Sequence, residues 1–179
     1  MRDGRQSSWK RKNAPYLIAM ALAFIMVMVI APEVNEGNAM DPTVKDGQVL
    51  VMTKSSYSVK RQEPDKGKVV VLEKTVAPKV SEDNIIARVI GLPGDKIKIK
   101  DGRVFVNGRE YVTETGIKGA GNAKDATYKL KGNDVYLLCD NRDEYIDSRN
   151  EKLGPVDMRD IRGTVFLRIW PLSDLGGID

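Results

Sequence analysis

The chain is 179 residues long, with 29 lysines and arginines against 25 aspartates and glutamates, no histidine and a single cysteine, Cys139. The missing histidine excludes Ser-His-Asp and Cys-His catalysis and every histidine-ligated metal site, and one cysteine cannot form an intrachain disulfide. The net positive charge does not argue for nucleic acid. Arg2, Arg5, Lys10, Arg11 and Lys12 are offset only by Asp3 within residues 1–13, so the rest of the chain carries 24 residues of each sign.

Residues 1–13 read as a basic tail. Next comes "NAPYLIAMALAFIMVMVIAP", which holds no charge. Its apolar run, 14–31, would reach about 27 Å as a helix at about 1.5 Å per residue, near the lower limit for a bilayer core of about 30 Å. The pattern predicts an uncleaved transmembrane signal-anchor over 14–32. A cleaved signal peptide is the rival reading, but its apolar region usually spans about 7–15 residues, and Ala31-Pro32 makes a poor cleavage site. Positive residues stay on the cytoplasmic side. The expectation is therefore a single-pass protein of the cell membrane, with the tail inside, residues 33–179 outside, and membrane lipid as a partner.

Beyond Glu33 the pattern is one of short, β-branched segments: 48–54, 68–74, 84–92, 96–111, 134–139 and 162–170. Asp101-Gly102 and Asn107-Gly108, flanked by alternating residues, are hairpin turns. Segments 55–66 and 75–83 read as surface connections, and the polar, glycine-rich stretch 113–131 as a mobile loop. No long helical period occurs after residue 33. The fold class is mainly β, with antiparallel sheets.

Three motifs carry chemistry. "GNAMDPT", Gly37 to Thr43, resembles the nucleophile segment of bacterial type I signal peptidases, where a serine precedes Met-x-Pro-Thr; here Ala39 stands in its place. "NIIARVIGLPGD", Asn84 to Asp95, resembles the family's base segment, with Arg88, Gly91, Pro93, Gly94 and Asp95 matching and Ala87 at the position of the catalytic lysine. "CDNRDEYIDSRNEKLGPV" resembles the final block through Asp140, Asn141, Arg142, Asp147, Ser148, Arg149 and Gly154, while Cys139 and Tyr145 depart from the usual glycine and serine. The short spacing between blocks is similar to that of Gram-positive members.

The resemblance implies a signal-peptidase-like β domain over 33–179 and a reaction in which a serine hydroxyl attacks the peptide carbonyl while a buried, neutral lysine takes its proton. Backbone N–H groups, that of residue 39 among them, would hold the oxyanion. Neither metal nor other cofactor is implied. Ser148 falls at a position expected to orient the lysine, Asp147 and Arg149 read as a structural ion pair near the site, and Arg88 supports the base strand. Met40, Pro42, Ile85 and Ile86 would border a groove for the small residues that precede the cleaved bond.

With alanine at 39 and 87, the nucleophile and base are both missing, which predicts an inactive enzyme. Intact flanks fit either an active peptidase deliberately substituted or a natural homologue without the dyad. Some Gram-positive members of the latter kind assist pilus assembly. The expected partners are therefore signal peptides of exported preproteins or pilin-type proteins. A repressor-type Ser-Lys peptidase is disfavoured by the anchor.

Overall fold

The computed structural model describes residues 4–54, 63–76, 80–81, 83–144 and 146–178. Most of the expected surface connection 55–66 and part of 75–83 lie outside the described residues, as does Tyr145.

The expected span over 14–32 is realised only in part. Helix α1 runs Gly4–Val29, but Ile30–Val34 form a strand, β1. Among the described residues no helix is long and apolar enough to cross a membrane. The cause lies in Pro32. It biases Ala31 away from the helical region and cannot donate to a helical ladder, so the helix ends with its uncharged part at residues 14–29. That stretch is about 24 Å long. On an edge strand the same proline is harmless. Asn35 donates to Gln48 O at 2.9 Å, and alternation along β1 then turns position 32, which has no N–H, toward the open side.

The described strands that follow all pair antiparallel, as expected. β2 (Val49–Lys54), β3 (Val69–Leu72), β4 (Ile85–Gly91), β9 (Asp134–Leu138), β10 (Val156–Asp157), β11 (Ile161–Trp170) and β12 (Gly176–Gly177) join β1 in one sheet. Its order is β1-β2-β11-β3-β4-β9-β10, with β12 added to β11. β5 (Lys96–Lys100), β6 (Arg103–Val106), β7 (Arg109–Glu110) and β8 (Ala126–Lys129) form a second sheet in the order β7-β6-β5-β8. Both expected hairpin turns are present, with Asp101 (φ 50°), Gly102 (69°), Asn107 (52°) and Gly108 (83°) all left-handed, as such two-residue turns require. β8 falls inside the stretch expected to be a loop. Its four residues alternate between half-buried and exposed, and Tyr128 meets Tyr136 with ring centroids 5.3 Å apart.

Three apolar clusters hold these layers. One face of β4, with Ile85, Ala87 and Val89, packs with Val70, Leu72 and Leu137. The other face sends Ile86 to Met40, Val44, Leu50, Met52 and Val71. A third cluster joins the sheets through Ile90, Ile97, Ile99, Val104 and Leu138. β11 crosses β2 closely at Gly163, where an added Cβ would lie 2.3 Å from Thr53 O. Gly163→Ala should therefore cost about 1–3 kcal/mol through backbone displacement, read as a lowered Tm. Gly91→Ala should cost less, because its Cβ would meet side-chain atoms of Ile97 and Leu130, at 2.6 and 2.8 Å, instead of backbone.

Candidate functional site

Three segments are tied together by hydrogen bonds: the turn 37–43, which carries Ala39, strand β4, which carries Ala87, and the loop 139–150 that follows β9. The turn brings Ala39 and Met40 into the interior, 5% and 0% exposed. Ala39 O accepts from Asn141 N at 2.9 Å, and Asn38 O from Asn141 Nδ2 at 3.1 Å. Thr43 Oγ1 donates to Asp140 Oδ2 at 2.6 Å. That carboxylate also receives Arg88, from Nε to Oδ1 at 2.9 Å and from Nη2 to Oδ2 at 2.6 Å, while Arg88 Nη1 reaches Gly67 O at 2.5 Å. Burial by itself would lower the Arg88 pKa; the hydrogen-bonded Asp140 carboxylate outweighs it, and the net shift is upward.

A second buried pair shapes the loop. Asp147 and Arg149 have fully buried side chains, with Nη2 to Oδ2 at 2.7 Å. Asp147 Oδ2 also accepts from Cys139 N at 2.7 Å. Arg149 spends its remaining donors on backbone carbonyls: Ala120 at 3.0 Å, Arg142 at 2.6 Å, and Glu144. Cys139 is buried, and burial followed by the nearby Asp147 charge pushes its thiol well above the usual range. Burial and the neighbouring Arg149 lower the Arg142 pKa.

The placement of the expected site residues is uneven. Met40 and Ile86 share a cluster on one side of β4. Ala87 and Ile85 face the opposite side, in the cluster with Val70 and Leu72. Pro42 is exposed on the turn, after a cis bond to Asp41. Ser148 is buried, but its Oγ accepts from Leu137 N at 3.0 Å and its own N–H donates to Leu137 O at 3.1 Å. Leu137 pairs with Val89 of β4 across its other side. Ser148 is thereby held one strand beyond β4, its hydroxyl engaged with backbone.

The sheet edges complete the site. Val89 exchanges bonds with residues 67 and 68 on the β3 side. Alternation then turns Ala87 toward β3 and the N–H and C=O of Ile86 away from it. On that side β9 pairs with β4 only from Arg88 onward, so among the described residues Ile86 presents a free edge. The outermost strand, β1, presents Val34 in the same manner. No group of three or more metal-ligating side chains occurs among the described residues. The tethering roles of Thr43, Asp140, Asn141 and Gly67 were not read from the sequence. They depend on contacts between residues up to 103 apart, which leave no local pattern.

The family described as "Signal peptidase, peptidase S26" matches residues 9–170. Signal peptidase IB of Staphylococcus aureus strain Mu50 is 30% identical over 187 aligned positions, covering 92% of this chain and 93% of that protein. A probable signal peptidase I-2 of Synechocystis is 29% identical over 174 positions, covering 96% of this chain and 78% of the relative. A crystal structure of a signal peptidase I from Enterococcus faecalis superposes with a TM-score of 0.44 at 20% identity, over 57% of this chain and 97% of the other.

Removing one partner of a fully buried, hydrogen-bonded ion pair costs about 3–5 kcal/mol. Arg149→Met should lower the urea midpoint accordingly. Arg149→Lys should rescue little of the loss, because a single ammonium cannot reach Asp147 and the three carbonyls together.

Proposed function

The chain belongs to the signal peptidase family, peptidase S26, and from that premise we propose that it binds the signal-peptide ends of exported preproteins as extended strands but does not cut them. The observation that carries this reading is the pair of methyl groups at Ala39 and Ala87, each set in an otherwise intact frame. Loss of a dyad member costs a serine peptidase on the order of 10⁴ to 10⁶ in rate, and here both are absent.

The frame supports recognition. An extended peptide adds to a free sheet edge through main-chain hydrogen bonds, while pockets read alternate side chains. The outward-facing backbone of Ile86 and Val34 offers such edges, and Met40, next to Ala39 in the chain, packs with Ile86. Among the described residues nothing accepts a hydrogen bond from the Ala39 N–H, which leaves it available to a peptide carbonyl. Ala87 is buried in an apolar cluster, where burial would favour the neutral form of a lysine. The resemblance gives that position the general base. Asp147, Ser148 and Arg149 shape the loop facing this strand and make no direct contribution to chemistry in this reading. The site needs no metal or other cofactor.

The membrane tether belongs to the same proposal. Side chains of α1 from Tyr16 to Val29 are 47–74% exposed where they are large and apolar, and lipid would cover them. Lys54 Nζ donates to Val27 O at 3.0 Å, capping the helix end with a cation where the apolar segment meets the domain. A groove held near the bilayer raises the effective concentration of membrane-inserted signal peptides. A pilin-type protein is the alternative occupant of the same groove.

The test is cleavage of a preprotein reporter by the full chain in three forms: unchanged, Ala39→Ser, and Ala39→Ser with Ala87→Lys. The expected outcome is cleavage after a small-x-small end by the double variant alone. Cleavage by the unchanged chain would contradict the reading. A silent double variant that still binds extended peptides would favour the accessory role.

A further inference from the structure

Beyond the basic tail the chain holds cations and anions in equal number, yet on the second sheet they are not mixed. Along β5, Ile97 and Ile99 are buried while Lys96, Lys98 and Lys100 are exposed. The strands on either side extend the same outward face. Lys129 of β8 stands opposite Lys96, and Thr127 opposite Lys98. Arg103 of β6 stands opposite Lys100, and Phe105 opposite Lys98. Five cations thus share one side of the sheet, about 6.8 Å apart along a strand and about 4.8 Å apart between strands.

Anions are confined to one corner of that face. Lys100 Nζ lies 4.0 Å from Asp101 Oδ2, with both side chains more than half exposed, and Glu110 of β7 stands opposite Phe105. Among the described residues Lys96, Lys98, Arg103 and Lys129 form no ion pair. Like charges placed directly opposite one another weaken a sheet, and this one carries two such pairs, Lys96 with Lys129 and Lys100 with Arg103. The sheet alone gains nothing from the arrangement. An anionic partner laid across it relieves the repulsion and adds its own attraction.

We propose that this face binds a linear phosphodiester polymer without bases, lying across β8, β5 and β6. Four of the five cations are lysines, flexible point charges that follow a chain of phosphates without the planar fork that arginine brings to a fixed carboxylate. Single-stranded nucleic acid is held by aromatic rings on which successive bases stack. Among the paired residues of this face the one ring is Phe105, and it is half-buried. A membrane surface of this kind would pair its cations with exposed apolar side chains that enter the lipid, and the neighbours of Phe105 here are Lys98 and Glu110. The site is separate from the groove. Met40 and Ile86 pack in one cluster, whereas the second sheet is joined to the first through another, with Ile90, Ile97 and Leu138. It stands whether or not the groove takes a peptide.

The test is fluorescence anisotropy of end-labelled poly(glycerol phosphate) with the full chain in nanodiscs of phosphatidylcholine, a neutral lipid. Five contacts predict an affinity that falls on the order of 100-fold between roughly 50 and 200 mM salt. Lys96→Gln, Lys98→Gln and Lys129→Gln combined should weaken binding at the lower salt by at least about tenfold and reduce the salt slope by about two. Lys98→Arg, which keeps the charge, should bind as the unchanged chain does. The triple variant should melt no lower than the unchanged chain, because it removes the repulsion between positions 96 and 129, so unfolding cannot explain its loss of binding. Neutralising Lys10, Arg11 and Lys12 of the tail to glutamine should weaken binding less than the triple variant does. The reverse order would overturn the proposal, as would no binding of the polymer by the unchanged chain at the lower salt. Tighter binding of oligo(dT) or polyglutamate of matched charge would overturn the assignment to a base-free phosphodiester. Displacement of the labelled polymer by phosphatidylglycerol vesicles at a lower phosphate concentration than by unlabelled polymer would give the face to lipid headgroups and overturn it too.

Discussion

The arrangement around the two alanines depends on one carboxylate. Asp140 accepts two bonds from Arg88 and a third from Thr43, and through them it ties together β4, the turn 37–43 and the exit from β9. A guanidinium enters the interior of a protein only when its donors are met. Arg88 satisfies that condition with Asp140 and Gly67 O, so its position on β4 fixes where both other segments must lie. The neighbouring Asn141 then holds Ala39 O and Asn38 O. The turn is thereby suspended from the loop by polar bonds and seated on the sheet through Met40. Ala39 is placed by its surroundings, and its own side chain contributes nothing to that placement.

This separation explains how reactive groups can be absent while the site keeps its form. Lysine in the cluster around Ala87 would have to be neutral, since burial of an ammonium in apolar surroundings is unfavourable. A catalytic site of this kind stores strain that folding must offset elsewhere. Alanine at position 87 fills the same strand without that cost, and alanine at 39 leaves the backbone N–H in place. Recognition through sheet edges requires only backbone groups and small pockets, both of which survive. Binding and cleavage are thus divisible in the proposed reading, which keeps only the first.

Much of this was legible before any coordinates. The strands announce themselves by β-branched runs, and Asp-Gly and Asn-Gly dictate left-handed turns wherever they occur. Ala39 and Ala87 stand out because their flanks match a known pattern. What was not legible depends on distance in the chain or on competition between tendencies. Nothing within residues 14–31 marks where helix gives way to strand; Pro32, just beyond them, sets the boundary at Val29 and makes β1 from residues expected in a span. Segment 126–129 is short, polar and preceded by glycines, yet it pairs with β5 because Tyr128 finds Tyr136 on the neighbouring sheet. Ser148 carries a hydroxyl in the last of the three motifs, and nothing local reveals that its oxygen accepts from Leu137 N–H.

The central claim is that a peptide enters as a strand along the edges presented by Ile86 and Val34. Amide hydrogen exchange of the full chain, with and without a saturating peptide that ends in a small-x-small sequence, tests it at the backbone itself. The account predicts slowed exchange at the N–H groups of Ile86 and Val34 on binding, with Ala87, already turned toward β3, unchanged. Peptide binding with no protection at either Ile86 or Val34, or with protection confined to a different face, would contradict it.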